Sequence, residues 1–175
     1  MPKKRDADTR KKVPLFVSYA RADRGPALHL LRRFALQTAA SKRHRYAFWD
    51  DRDILIGANW HKAIQGALKD CKLGLLLISP AFLGSRYITE KELPGFLGRR
   101  PKPVLPVMLQ VVDPDVHDLK GLQHKQIFRL DRKPPHHPKA FADCVGKTRD
   151  EFALELFRLV EARLRRRPLR RRSKR

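Results

Sequence analysis

The residue of this chain best suited to chemistry by type and spacing is a carboxylate set just beyond an unbroken apolar strand. Glu92 stands in Tyr87-Ile88-Thr89-Glu90-Lys91-Glu92-Leu93-Pro94, which follows Leu73-Gly74-Leu75-Leu76-Leu77-Ile78 and a turn at Ser79-Pro80. An apolar run ending in Ser-Pro and passing at once into helix-compatible sequence is how an open α/β sheet presents groups at its ligand-binding edge. A carboxylate there acts on a substrate or is a solvated acid on a helix. Other constellations fall away. Gly146-Lys147-Thr148 hints at a phosphate-binding loop, but Phe141 stands where that motif needs its first glycine, and helix capping explains Thr148 better. His136-His137 lies in a Pro-rich stretch with no third ligand at useful spacing, so no metal site is expected.

The elements that must position Glu92 are read from apolar periodicity. Val13–Ser18 is a first short strand, and Leu28, Leu31, Phe34 and Ala35 then recur at helical spacing behind Pro26. Tyr46–Trp49 is a second strand. A loop from Asp50 passes Gly57, and Asn59 caps a helix whose stripe is Trp60, Ile64, Ala67 and Leu68. Leu73–Ser79 is a third, central strand, followed by a helix over about Thr89–Leu97. Val104–Leu109 is a fourth strand, placed near an edge because Pro106 cannot donate to a ladder, and Ile127–Leu130 is a short fifth. The last helix opens on a capping box of Thr148 and Glu151 and carries Phe152, Leu156, Leu159, Val160 and Leu164 on one face. This alternation predicts one α/β domain, a parallel sheet with helices on both faces.

Length and charge bound the rest. At 175 residues the chain holds one domain, with a formal net charge of +22. Residues 1–12 form a basic N-terminal tail, 13–162 the domain, and 163–175 a polybasic tail with nine Arg/Lys and no acid. Charge alone would let the tail meet nucleic acid or an anionic membrane surface, but no aromatic residue interleaves it, so it reads as a solubilising extension. Cys71 and Cys144 fit free thiols of a reducing compartment. No leader and no transmembrane run is visible, and the chain reads as cytoplasmic.

Several spaced blocks together are more specific than any one of these. They are Phe16-Val17-Ser18-Tyr19-Ala20-Arg21-Ala22-Asp23; Trp49-Asp50, Asp53-Ile54, Gly57, Trp60, Ile64, Ala67-Leu68 and Cys71; Leu76-Leu77-Ile78-Ser79-Pro80-Ala81-Phe82-Leu83, Ser85 and Tyr87; and Lys91-Glu92-Leu93. In this order they closely resemble a Toll/interleukin-1 receptor (TIR) domain of the bacterial type. A phosphorelay receiver shares the sheet order but needs acids where this chain has Ser18-Tyr19-Ala20-Arg21 and Ser79.

The resemblance implies a flavodoxin-like three-layer fold with a five-stranded parallel sheet. It also implies cleavage of NAD+, as substrate and not cofactor, at the nicotinamide–ribose bond, giving nicotinamide and ADP-ribose or a cyclic variant. The family's essential glutamate matches Glu92; Glu90 is two positions out of register with the family's Glu-Leu pair. Arg21 matches a substrate-contacting arginine, and Asp53, Trp49, Ser85 and Tyr87 are weaker substrate-binding candidates, while Leu55 departs from an acidic position of the animal enzyme. Trp60 reads as core and His61 as helix surface. If Pro94 lies in the first turn of its helix, Glu92 gains from the helix dipole. The loop Asp50–Ala58 corresponds to the segment through which such domains self-assemble, with a separate sensor protein as a further partner and antiphage defence as the setting. A catalytically silent adaptor acting through homotypic contacts is the alternative.

Overall fold

The computed structural model describes residues 8–50, 59–131 and 137–165. Strand β1 (Lys11–Ser18) leads through a 3-10 turn (Arg21–Asp23) into helix α1 (Arg24–Ala39), and β2 (His44–Trp49) precedes α2 (Trp60–Asp70). Then come β3 (Leu73–Ile78), the short helix α3 (Pro80–Gly84), a π-helical turn (Ile88–Glu92) running into α4 (Leu93–Leu97), β4 (Val104–Met108) and the long helix α5 (Lys147–Arg165). The described elements reach two residues into the basic stretch expected before the domain and three into the one after it.

The strands pair in parallel in the order β2-β1-β3-β4. Every residue of β3 is buried, as a run without polar alternation requires of a central strand. Pro14 is tolerated in the other central strand because its register partner in β2 is Ala47, while pairing with β3 begins only at Leu15. Alternation sorts β1 between two cores. Val13, Leu15 and Val17 join α1 and α5 on one face. Phe16 faces the other way, with Ile64 and Leu68 of α2, Phe82 of α3, and Leu93 and Phe96 of α4. This is the three-layer α/β sandwich expected of a flavodoxin-like fold.

Among the described residues the sheet has four strands, not five. The expected strand at Ile127–Leu130 is reduced to a single parallel bridge, in which Phe128 N donates to Pro106 O and Met108 N to Phe128 O, both at 2.8 Å. Two residues on, Leu130 turns away to pair with Lys139 in an antiparallel bridge, so no ladder along β4 can grow. The capping box also shifts. Helix α5 starts at Lys147, which puts Thr148 inside its first turn, and the Thr148 hydroxyl donates back to the Val145 carbonyl at 2.5 Å.

One glycine governs the layer that carries Glu92. Gly74 in β3 lies directly beneath the Phe96 ring of α4, and a β-carbon there would overlap that ring. The missing side chain lets α4 sit down on the sheet.

Candidate active site at the carboxyl edge of the sheet

Glu92 closes the π-helical turn, whose wide hydrogen bond runs from Leu93 N to Ile88 O. Such turns insert a residue and rotate the next side chain relative to a regular helix, a device common at functional sites. Here it turns Glu92 inward, 7% exposed, toward the carboxyl end of β1. Because Pro94 stands in the first turn of α4, a free helix N-terminus was expected beside Glu92; instead the π turn precedes α4 without a break, and Glu92 itself has helical dihedrals. With helical residues on both sides of Glu92, the dipole of α4 alone is no argument for its ionised form.

Ser18 meets Glu92 from the strand. Its hydroxyl donates a short hydrogen bond to Glu92 Oε2, fixing the orientation of a buried carboxylate. The last residue of β1, Ser18 shares a face with Phe16, two positions back, and so must point at the α4 layer. Sequence reasoning missed it, although that two-residue period was the available signal.

Around this pair lies a cavity of about 520 Å³, walled by Ser18, Arg21, Trp49, Trp60, Ser85, Tyr87 and Glu92 among others. The volume is within the range of pockets for drug-sized ligands and cofactors. The Trp60 and Tyr87 rings meet at 4.1 Å between centroids, and the Arg21 guanidinium lies 5.9 Å from the Trp60 ring. Trp49 stacks on Phe16 at 5.1 Å and 15°. Burial, and secondarily the charge of Glu92, push the Tyr87 hydroxyl above its ordinary range, so it stays a neutral donor at neutral pH. His61 Nδ1 lies 3.2 Å from that hydroxyl, so His61 does more than decorate a helix surface.

Four expected site residues thus join Glu92, namely Arg21, Trp49, Ser85 and Tyr87, and with them comes Trp60, which the helical stripe assigns to the core. Trp60 is the first residue of α2, so it overhangs the end of the strands instead of lying on them, and remains 36% exposed. Glu90 goes elsewhere. Its side chain is about half exposed and pairs with Arg86 at 2.8 Å, outside the cavity. Asp53, and the rest of the loop from Asp51 to Ala58, lie outside the described residues.

A second buried network ties the same edge together. Asp23 accepts from Ser79 Oγ through one carboxylate oxygen and from Gln110 Nε2, at 2.7 Å, through the other. It thereby joins the segments after β1, β3 and β4, and holds the turn that carries Arg21. A slightly larger cavity of about 570 Å³ lies off the β4 edge, between Ile127–Asp131 and Leu159 of α5. It contains neither Glu92 nor Arg21.

A model of the TIR domain matches residues 15–145, three-quarters of the chain. The chain belongs to the TIR domain family. No curated protein matches it at a significant level. The TIR match spans β1 to the loop before α5, and with it every residue of the carboxylate cavity. Among the described residues of this TIR domain, both cysteines are buried and unbridged, and no helix is long and apolar enough to cross a membrane.

Proposed function

We propose that this TIR domain is an NAD+ glycohydrolase that cleaves the nicotinamide–ribose bond, with Glu92 as its catalytic carboxylate. The observation that carries the reading is a single buried acid, oriented by Ser18, at the floor of a cavity with aromatic walls and an arginine at its mouth. Breaking the bond sends its electron pair to the pyridinium nitrogen, and nicotinamide leaves neutral. The leaving group therefore needs no general acid, and one carboxylate suffices where ordinary glycosidases use two. Positive charge builds on the ribose, and a carboxylate near the anomeric carbon stabilises it more in the transition state than in the ground state.

The other groups have matching roles. Trp60, Tyr87 and Trp49 offer flat apolar faces to the nicotinamide ring. Arg21 suits a phosphate or ribose oxygen. Water capturing the cation gives ADP-ribose and a proton; an adenine nitrogen capturing it gives a cyclic product. Homotypic TIR–TIR contacts, including the loop Asp50–Ala58, complete and activate the site, and depletion of NAD+ or release of the product signals in bacterial antiphage defence.

The test is direct. Full-length protein is incubated with NAD+ in the presence of a crowding agent that favours assembly, and nicotinamide is quantified chromatographically. Release above the protein-free control, with ADP-ribose or its cyclic isomer in equal amount, is expected. No release under assembled conditions would leave a homotypic adaptor as the function.

A further inference from the structure

The opposite end of the sheet carries a second, differently charged cleft. It measures about 170 Å³ and is lined by Lys11, His44, Lys72 and Arg163. These are the first residue of β1, the first of β2, the residue before β3 and one in the last turn of α5, so the cleft lies at the amino ends of the strands. The length of β1 puts it roughly 20–25 Å from Glu92.

Helices α1, α2 and α5 all end here, and cations are expected beside their carbonyls. Lys102 has that role: its amine donates to the carbonyls of Lys69 and, at 2.8 Å, Cys71. Lys11, Lys72 and Arg163 do not. Among the described residues their side chains make no hydrogen bond or ion pair. Two nearby acids are already engaged, Asp8 by Arg10 and Glu161 by Ser41, His44 and Tyr46, which leaves Asp70 as the local counter-charge. The described chain ends at this pole as well, at Arg165, beyond which the sequence adds seven Arg/Lys and no acid.

We propose that this pole is a binding surface for the phosphodiester backbone of nucleic acid, with Lys11, Lys72 and Arg163 as its fixed contacts. A cleft of this size admits a phosphate group and is too small for a base with its sugar. Three cations on separate elements, none with a carboxylate partner among the described residues, match a polyanion. The aromatic ring that lines the cleft, His44, is engaged by Glu161 and offers no free base-reading group, so binding is independent of sequence. Of its apolar residues, Val13 and Leu73 are buried, Leu164 is partly buried and Pro103 is exposed, which offers little apolar surface to insert into a lipid bilayer.

The experiment uses the full chain and a fluorescent duplex of about 20 base pairs, titrated at about 50 to 200 mM salt. The variants are Lys11→Glu/Lys72→Glu/Arg163→Glu, the same three positions changed to Gln, and an equal charge reversal elsewhere, Arg32→Glu/Lys125→Glu/Lys147→Glu. The wild type is expected to bind with a steep salt dependence. Both changes at the pole should weaken binding at least about tenfold and flatten the log–log salt slope by about two to three, while the control shifts affinity less and leaves the slope intact. Three results would overturn the proposal. They are equal losses for pole and control, no duplex binding at the lowest salt, or capture by phosphatidylserine vesicles in preference to the duplex.

Discussion

Glu92 and Glu90 are two residues apart and chemically identical, and helical geometry, which turns such neighbours to opposite faces, separates them. Glu92 faces Ser18 inside the cavity, whereas Glu90 pairs with Arg86 in solvent. If the carboxylate acts on the ribose cation, its orientation matters as well as its presence. Ser18→Ala removes a hydrogen bond to a charged group, worth about 1.5–3 kcal/mol. We expect NAD+ turnover by that variant, measured well below its melting transition, to fall between roughly ten- and a hundredfold, alongside a melting temperature lowered by several degrees. An unchanged rate would show that Ser18 does not orient the catalytic acid. Trp60→Ala should raise KM more than it lowers kcat, since stacking binds ground and transition states alike. A fall in kcat alone would contradict that role.

At the scale of elements, the site depends on how α4 is seated. Gly74→Ala places a methyl group against Phe96 and should cost about 1–3 kcal/mol as overpacking, visible as a lower midpoint in urea. Because Phe96 and Glu92 ride on one helical segment, turnover should fall too; unchanged stability would mean the ring moves aside freely. The far end of α5 has its own acid sensitivity. Burial alone would raise the Glu161 carboxyl, but hydrogen bonds from His44, Tyr46 and Ser41 outweigh it and hold it below the ordinary carboxylate value. A carboxyl depressed in the folded state stabilises above its unfolded value and loses that contribution as pH falls through the folded one. Melting temperature should therefore drop as pH falls below about 4.5, the ordinary value, and Glu161→Gln should flatten that acid limb. An equally steep limb in the variant would assign the acid sensitivity to other groups.

The elements were legible where apolar periodicity was strong. The strand at Leu73, the helix capped by Asn59 and the edge position of Val104–Met108 all follow from local rules. What sequence could not give was decided by tertiary geometry. Ile127–Leu130 has strand-like residues, yet whether a ladder extends depends on where Leu130 finds its partner. The π turn is a hydrogen-bond pattern without a residue signature. Trp60 counted as a stripe residue, but the stripe does not reveal that the first helical turn lies past the sheet. Ser18 and Asp23 looked like ordinary members of a motif block, and their partners lie 74 and 56 residues away in sequence.

At the scale of the whole molecule, chemistry and charge occupy opposite ends of one sheet. The carboxyl edge gathers the acid, the aromatic rings and Arg21; the amino edge gathers the cationic cleft and the end of α5. On the two proposed readings, nucleic acid binds at the amino edge while NAD+ is cleaved at the carboxyl edge. If self-assembly completes the site, total activity should rise with protein concentration more steeply than first order. Activity strictly proportional to concentration over a hundredfold range would argue for a self-sufficient monomer.

The central claim is that one acid, Glu92, supports the ribose cation. It is tested most directly by measuring nicotinamide release from NAD+ by Glu92→Gln and Glu90→Gln side by side, under the assembled conditions in which the wild type turns over. Glu92→Gln is expected to lose at least about a hundredfold in rate while keeping the wild-type melting temperature to within a few degrees, and Glu90→Gln to stay within about twofold. Full activity in Glu92→Gln, or a loss confined to Glu90→Gln, would contradict the account.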